Sequence, residues 1–179
     1  MNIRVITANC SHADVISSIG RQSFRDAFAY LFKNKKELVE YLEYTYHPDK
    51  IRKSLEKENN VFFLAFLENV PVGFAKVKKD SLNDQIESIA QMELQKIYVL
   101  SYYHGSGAGR ALLQSVMDLA NDLQPDYLWL DTHIQNSKAI RFYERNGFKK
   151  ASQYFFNIGT QSFEYHLMSL PVCTMQPCQ

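Results

Sequence analysis

Between residues 104 and 110 the chain reads His104-Gly105-Ser106-Gly107-Ala108-Gly109-Arg110, with three glycines among five consecutive residues. An alternating segment typical of a strand precedes this loop, and an amphipathic segment typical of a helix follows it. A loop without side chains lets backbone N–H groups approach an anion, and the positive end of the helix dipole favours negative charge there. The segment therefore predicts a phosphate-binding turn.

The loop does not fit two common nucleotide-binding motifs. A P-loop requires lysine and then serine or threonine after its last glycine, whereas Gly109 is followed by Arg110 and Ala111. A dinucleotide-binding fold requires a third glycine where Arg110 stands. A tight turn from strand to helix with no ligand stays open as the alternative for the loop taken alone.

A second segment narrows the choice, because it follows a predicted strand and reads Asn136-Ser137-Lys138-Ala139-Ile140-Arg141-Phe142-Tyr143-Glu144-Arg145-Asn146-Gly147-Phe148. Together the two segments resemble the GNAT (GCN5-related N-acetyltransferase) family. That family carries Gln/Arg-x-x-Gly-x-Gly/Ala before its central helix, and later Asn, Ala three residues on, Phe-Tyr and Gly-Phe. The resemblance covers residues 60–170. Residues 92–99 and Trp129-Leu130 further resemble the bacterial Pai-type spermidine/spermine N-acetyltransferases.

The hydrophobic periodicity predicts an α+β fold, a mixed and mostly antiparallel sheet flanked by helices. Strands are expected at residues 3–8, 61–67, 72–78, 91–100, 127–134, 148–158 and 162–170. Helices are expected from Ser11 or Asp14 to about Tyr30, then at 35–46, 49–58, from the glycine loop to Pro125, and at 136–146. Residues 1–170 are predicted to form a single GNAT domain, and residues 171–179 a frayed tail.

Composition excludes several classes of protein. The chain has 179 residues, 46% of them hydrophobic, and a net charge of +1, which suits one globular domain and disfavours a nucleic-acid binder. No apolar run is long enough to span a membrane, and the N-terminus does not read as a signal peptide. Three scattered cysteines predict neither a disulfide framework nor a metal site. A cytoplasmic protein is the expectation.

The resemblance implies acetyl-CoA as cosubstrate and assigns residues to it. The strand residues Ile97, Tyr98 and Val99 are expected to pair with the pantetheine arm, as in strand addition. The loop residues His104, Gly105, Ser106, Gly107, Ala108, Gly109 and Arg110 are expected to bind the pyrophosphate. Asn136 is expected to contact the pantetheine arm and to cap a helix. His104 stands where the family usually has glutamine or arginine.

Acetyl transfer to an amine needs a proton acceptor, donors for the oxyanion and a proton source for the departing thiolate. The resemblance assigns the proton source to Tyr143, which is also expected to lie beside the sulfur. Glu93 is the preferred base, acting through water on a strand face predicted to hold Gln95 and Ile97. The alternation predicts the opposite face of this strand to hold Met92, Leu94, Lys96 and Tyr98. Asp131 and His133 are the rival bases. A backbone N–H at or near Val99 is expected to meet the oxyanion.

The resulting hypothesis is an acetyl-CoA-dependent N-acetyltransferase that modifies a primary amine of a small molecule, with a polyamine as first candidate, by direct transfer in a ternary complex. Acidic residues of the second helix, Glu37, Glu40 and Glu43, could attract such a cation. One alternative is acetylation of a protein N-terminus or lysine. Another is a non-catalytic acyl-CoA sensor. A homodimer is possible, and no nucleic-acid or membrane partner is expected.

Overall fold

The computed structural model describes residues 2–172. Its strands are β1 Ile3–Thr7, β2 Asn60–Leu67, β3 Val70–Lys78, β4 Gln91–Val99, β5 Tyr127–His133, β6 Lys149–Ile158 and β7 Gln161–Pro171. Its helices are α1 Ala13–Phe28, α2 Lys35–Thr45, α3 Pro48–Leu55, α4 Ala108–Leu123 and α5 Ser137–Arg145. Short 3-10 turns cover Cys10–His12, Ala29–Leu31 and Ser101–Tyr103.

The strands form one sheet in the order β1-β2-β3-β4-β5-β7-β6. Neighbouring strands are antiparallel throughout, except that β4 and β5 are parallel. Helices α4 and α5 bury their apolar sides against one face of the sheet. Helices α1, α2 and α3 cover the other face with a second apolar core. This arrangement confirms the predicted α+β fold.

The sheet opens at its centre, between β4 and β5. These two strands pair only through Gln91–Glu93 with Tyr127–Trp129. Beyond Glu93, β4 keeps its bonds to β3, while β5 continues along β7. The last part of β4 therefore has one paired edge and one edge that faces the gap.

A bulge in β4 changes which side chains share a face. Lys76 pairs with Lys96 and Val77 pairs with Leu94, so Gln95 is the extra residue. Before the bulge, Met92 and Leu94 lie in the core under α4, and after it Ile97 packs there. Lys96 and Tyr98 consequently lie on the other face, as Glu93 does. The predicted alternation, with Lys96 beside Met92 and Glu93 beside Ile97, is wrong because a bulge reverses the pleat.

One local prediction also fails, the start of the first helix. Helix α1 begins at Ala13, and neither Ser11 nor Asp14 caps it; instead Asn9 caps the 3-10 turn before it, accepting a hydrogen bond from the N–H of Ser11 at 3.0 Å.

Of the segment predicted to be a frayed tail, the structure describes only Pro171 and Val172. Pro171 ends β7, and the N–H of Val172 donates to the Asp126 carbonyl at 2.9 Å. Cys173 and Cys178 lie beyond the residues that the structure describes. Across residues 2–172, no helix is long and apolar enough to span a bilayer.

Gly20 provides a test of how α1 packs on α2. A Cβ atom at Gly20 would lie 2.4 Å from Cδ1 of Tyr46, whose ring is fully buried and cannot move aside. We expect Gly20→Ala to lower the free energy of unfolding, because overpacking costs about 1–3 kcal/mol and exceeds the gain in helix propensity of about 1 kcal/mol. Urea denaturation measures the change, with Gly109→Ala as the control in open space. Equal or higher stability of Gly20→Ala would contradict this packing.

Candidate active site

A cleft of about 1320 Å³ fills the gap between β4 and β5. The two parted strands, the glycine loop and α5 form one end, and α1, α2 and the β6–β7 hairpin form the other. The cleft brings together nearly all of the residues predicted for the site, including Glu93, Asp131, His133, Asn136 and Tyr143. Ser106 and Ala108 do not line it.

Unpartnered backbone N–H groups make the glycine loop a candidate anion-binding site. Within residues 2–172, the N–H groups of Gly105, Gly107, Gly109 and Arg110 donate to no protein acceptor. They surround the N-terminus of α4, where the positive end of a 16-residue helix dipole adds to their effect. The geometry fits a phosphate or pyrophosphate group.

The three glycines of the loop differ in their backbone conformation. Gly105 and Gly107 have φ angles of +83° and +93°, a conformation that other residues adopt only with strain. Gly109 has no such constraint, and a Cβ there would meet no protein atom closer than Val99 Cγ2 at 3.8 Å. The fold therefore does not require glycine at position 109, where a side chain would meet no close protein atom.

The other loop residues support the turn. The N–H of Ala108 donates to Ser106 Oγ at 3.3 Å, and Ala108 itself is buried against the core. His104 Nε2 donates to the Val99 carbonyl, 2.9 Å away. His104 thus fixes the loop to the end of β4. Ser106 and Ala108 thus have structural roles in the turn, and their contacts to a pyrophosphate stay a prediction.

The open edge of β4 offers its backbone to a ligand. The N–H of Leu100 points to β3, since it donates to the Val72 carbonyl at 2.9 Å. Bonding direction alternates along an antiparallel strand, so Ile97 and Val99 direct their N–H groups into the gap, while Tyr98 bonds toward β3. Of the three strand residues predicted to pair with a cofactor arm, only Ile97 and Val99 have the required orientation.

Helix α5 positions two further residues. Asn136 Oδ1 accepts a hydrogen bond from the N–H of Ala139 at 3.2 Å, which confirms the predicted cap and leaves the side-chain amide free for the cleft. Tyr143 is 7% exposed and packs edge-on against Phe142 and Phe148. Its hydroxyl makes no hydrogen bond to any residue from 2 to 172. Burial raises the pKa of Tyr143 far above its ordinary value, so the phenol keeps its proton.

Glu93 is buried but charge-compensated. Its Oε2 atom lies 2.7 Å from Lys78 Nζ and accepts a hydrogen bond from Ser81 Oγ, also at 2.7 Å. Its Oε1 atom has no hydrogen-bond donor among residues 2–172. Glu93 therefore presents one free oxygen to a cleft that it lines.

The rival bases on β5 lie next to aromatic side chains. Burial raises the pKa of Asp131 to about 6, although a hydrogen bond from Tyr154 lowers it in part. The Asp131 Oδ1 atom is buried with no partner in the described chain. His133 accepts a hydrogen bond from the N–H of Gln135 on Nδ1 at 3.2 Å, and burial lowers its pKa. His133 is therefore neutral near pH 7.

The acidic residues of α2 are already engaged. Glu37 accepts a hydrogen bond from Thr160 Oγ1 at 2.8 Å. Glu40 lies 3.7 Å from Lys36, and Glu43 accepts a hydrogen bond from Arg21 Nη2 at 3.0 Å. Glu37 and Glu43 therefore have hydrogen-bond partners within the fold, whereas Glu40 makes only a long, exposed contact to Lys36.

Three lysines on the acceptor side, Lys50, Lys76 and Lys96, line the cleft and were not singled out from the sequence. The positions of these three lysines in the sequence match no known motif. Only the strand pairing, together with the bulge in β4, brings Lys76 and Lys96 to the same face.

Comparison with known proteins places the chain in a family. A model of the acetyltransferase (GNAT) family matches residues 22–148. An uncharacterized N-acetyltransferase of Lactobacillus delbrueckii subsp. lactis is 22% identical over 142 residues, which cover 79% of this chain and 82% of the relative. An uncharacterized N-acetyltransferase of Mycobacterium tuberculosis is 36% identical over 77 residues, which are 43% of this chain and 49% of that protein.

A solved structure shows the same fold over nearly the whole length. The PaiA N-acetyltransferase from Thermoplasma acidophilum, crystallised in complex with coenzyme A, superposes with a TM-score of 0.75. Sequence identity is 19%, with 96% of this chain and 99% of that chain covered. At this identity the likeness shows the fold and leaves the acceptor open.

The chain belongs to the GNAT family, since the family model matches well over half of its length. It is a GNAT-type N-acetyltransferase.

Gly109→Ala tests whether the loop binds a phosphate group. The methyl group meets no protein atom closely, so stability should stay equal or rise slightly. It would stand in front of free N–H donors, and losing one charge-assisted hydrogen bond of about 1.5–3 kcal/mol weakens coenzyme A binding about ten-fold or more. Calorimetry measures the affinity and thermal unfolding gives the control. Unchanged affinity would refute the assignment of the loop.

Proposed function

We propose that this protein transfers the acetyl group of acetyl-CoA to a primary amine of a small molecule. The observation that carries the proposal is the open edge of β4, which lies beside the unpartnered N–H groups of the glycine loop. Such an edge accepts an extended, amide-bearing arm as an added strand, and the loop accepts its pyrophosphate. The coenzyme A complex of the similar PaiA protein supports this choice of cosubstrate.

The residues fit a direct transfer. The amine nitrogen attacks the thioester carbonyl, and the N–H of Val99 or a neighbour meets the oxyanion that forms. Glu93 takes the proton of the amine through a water molecule on its free Oε1 atom. Tyr143 gives its proton to the departing thiolate, so the products are an N-acetylamine and coenzyme A. Cys10 lies outside the cleft and offers no acetyl-cysteine route.

The acceptor is to be found by measurement. Thiol release from acetyl-CoA is followed with spermidine, spermine, other small amines and peptides with free N-termini or lysines. Turnover of a small amine supports the proposal, and spermidine turnover would support the polyamine acceptor that the resemblance favours. Turnover of peptides alone would make the protein a peptide acetyltransferase. Coenzyme binding with no turnover would favour the sensor.

The scattered cysteines fit the proposed cytoplasmic location.

Tyr143→Phe should lower kcat about 100-fold or more, because general acids contribute about 10²–10⁴-fold to rate. Acetyl-CoA affinity should stay nearly unchanged, since the ring and its packing remain. The control is Tyr127→Phe, which also removes a phenolic hydroxyl, here from a partly buried ring that lies outside the cleft. Steady-state kinetics and calorimetry give both values. An unchanged kcat would remove Tyr143 from the mechanism.

Glu93→Gln should lower kcat/KM about 100-fold near pH 7, a typical loss for a general base. The loss should shrink at high pH, where the free amine is neutral without help. Asp131→Asn is the comparison. If Asp131 were the base, kcat would rise with pH through about 6, as its carboxyl loses the proton, and this rise would vanish in Asp131→Asn. That outcome would transfer the role from Glu93 to Asp131.

A further inference from the structure

Lys76 and Lys96 place two positive charges directly opposite each other on the acceptor side of the cleft. They are cross-strand partners on β3 and β4, next to the bulge at Gln95. The Cα atoms of such a hydrogen-bonded pair lie about 5.5 Å apart. Like charges in this position destabilise a sheet, so the pair calls for a compensating group.

No such group is supplied by the part of the chain that the structure describes. Neither lysine forms a salt bridge or a side-chain hydrogen bond with any residue from 2 to 172. The nearby carboxylate, that of Glu93, is held by Lys78 at 2.7 Å. The carboxylates of α2 are bound to other partners, as described above.

The floor beneath the two ammonium groups is apolar. Lys96 Nζ lies 5.5 Å from the centre of the Tyr46 ring, and Lys76 Nζ lies 5.5 Å from the centre of the Phe62 ring. Both rings are almost completely buried. Aromatic faces attract a cation weakly and do not replace a counter-ion.

The titration of both lysines reflects this lack of compensation. Burial is the main cause that lowers the pKa of each to about 8. Lys96 lowers the pKa of Lys76 further, and Lys50 on α3 does the same to Lys96, whereas Glu93 partly opposes the change in each. The pair is thus a desolvated positive site in a cleft that holds the proposed reaction.

We infer that the amine acetylated in this cleft also carries an anionic group, a carboxylate or a phosphate, which binds between Lys76 and Lys96. The inference rests on the proposed function and names its substrate class. The amine end would then lie toward Glu93 and Asp131, and the anionic end toward the lysines. A polyamine, which carries only positive charge, does not fit this arrangement.

Matched acceptors test the inference at pH 7.5 and low salt. The pairs are 4-aminobutyrate with 1-aminobutane, and O-phosphoethanolamine with ethanolamine; spermidine is added as the polycation. We expect kcat/KM to be about ten-fold or more higher for the acceptor that carries the anionic group than for its partner without that group, called the neutral partner below. The two pairs distinguish a carboxylate from a phosphate. Equal rates within both pairs, or a preference for spermidine, would overturn the inference while leaving the acetyltransferase proposal intact.

Lysine variants test the residues. Lys76→Gln and Lys96→Gln should each lose about ten-fold with the anionic acceptor, change little with its neutral partner, and leave the KM for acetyl-CoA unchanged. Lys96→Arg should restore most of the activity. The control is Lys149→Gln, an exposed lysine on β6. Equal losses with charged and neutral acceptors would overturn the inference.

A binding measurement separates the two proposals. O-phosphoethanolamine and 4-aminobutyrate are titrated by NMR into the protein saturated with coenzyme A, without turnover. Binding that depends on Lys76 and Lys96, combined with no turnover of any acceptor in the acetyl-CoA assay, would support the anionic site and contradict the proposed function. Binding that Lys96→Gln does not weaken would contradict the site.

Discussion

The parting of β4 from β5 after Glu93 is the constraint on which the site depends. Three pairs of residues hold the strands together at one end, and past them each strand follows a different neighbour. The gap leaves the backbone N–H groups of Ile97 and Val99 unpaired. Tyr143 and Asn136 line the cleft that fills it. The N-terminus of α4 is directed toward the same cleft. An unpaired strand edge in the middle of a sheet is costly, so its persistence in this fold is an argument for a ligand that pairs with it.

Local features of the site could be predicted from the sequence because short segments determine them. Gly105 and Gly107 mark a loop whose backbone needs positive φ, and the residues around them read as a strand and a helix. Asn136 sits one residue before a helix and caps it as predicted. The order of the elements followed from hydrophobic periodicity, and the loop together with the Asn136 segment indicated the family that the comparison confirmed.

Features that depend on pairing between distant segments could not be predicted. The extra residue at Gln95 has no signature in the sequence, yet it moves Lys96 and Tyr98 to the face opposite the one expected. The partner of Glu93 is Lys78, which belongs to a different strand. His104 and Val99 are close in sequence, but their hydrogen bond forms only because the turn between them directs the imidazole ring back to the end of β4. In each case the strand or loop was predicted correctly, and only its contacts in the folded chain could not be.

The open edge of β4 also has a consequence for the life of the protein in the cell. A row of unpaired backbone groups is a template on which another chain can add a strand, which is a route to aggregation. A bound pantetheine arm would cover that row and, by mass action, shift the population toward the folded monomeric state. Under the proposed function, the cosubstrate would therefore protect this unpaired edge as well as supply the acetyl group.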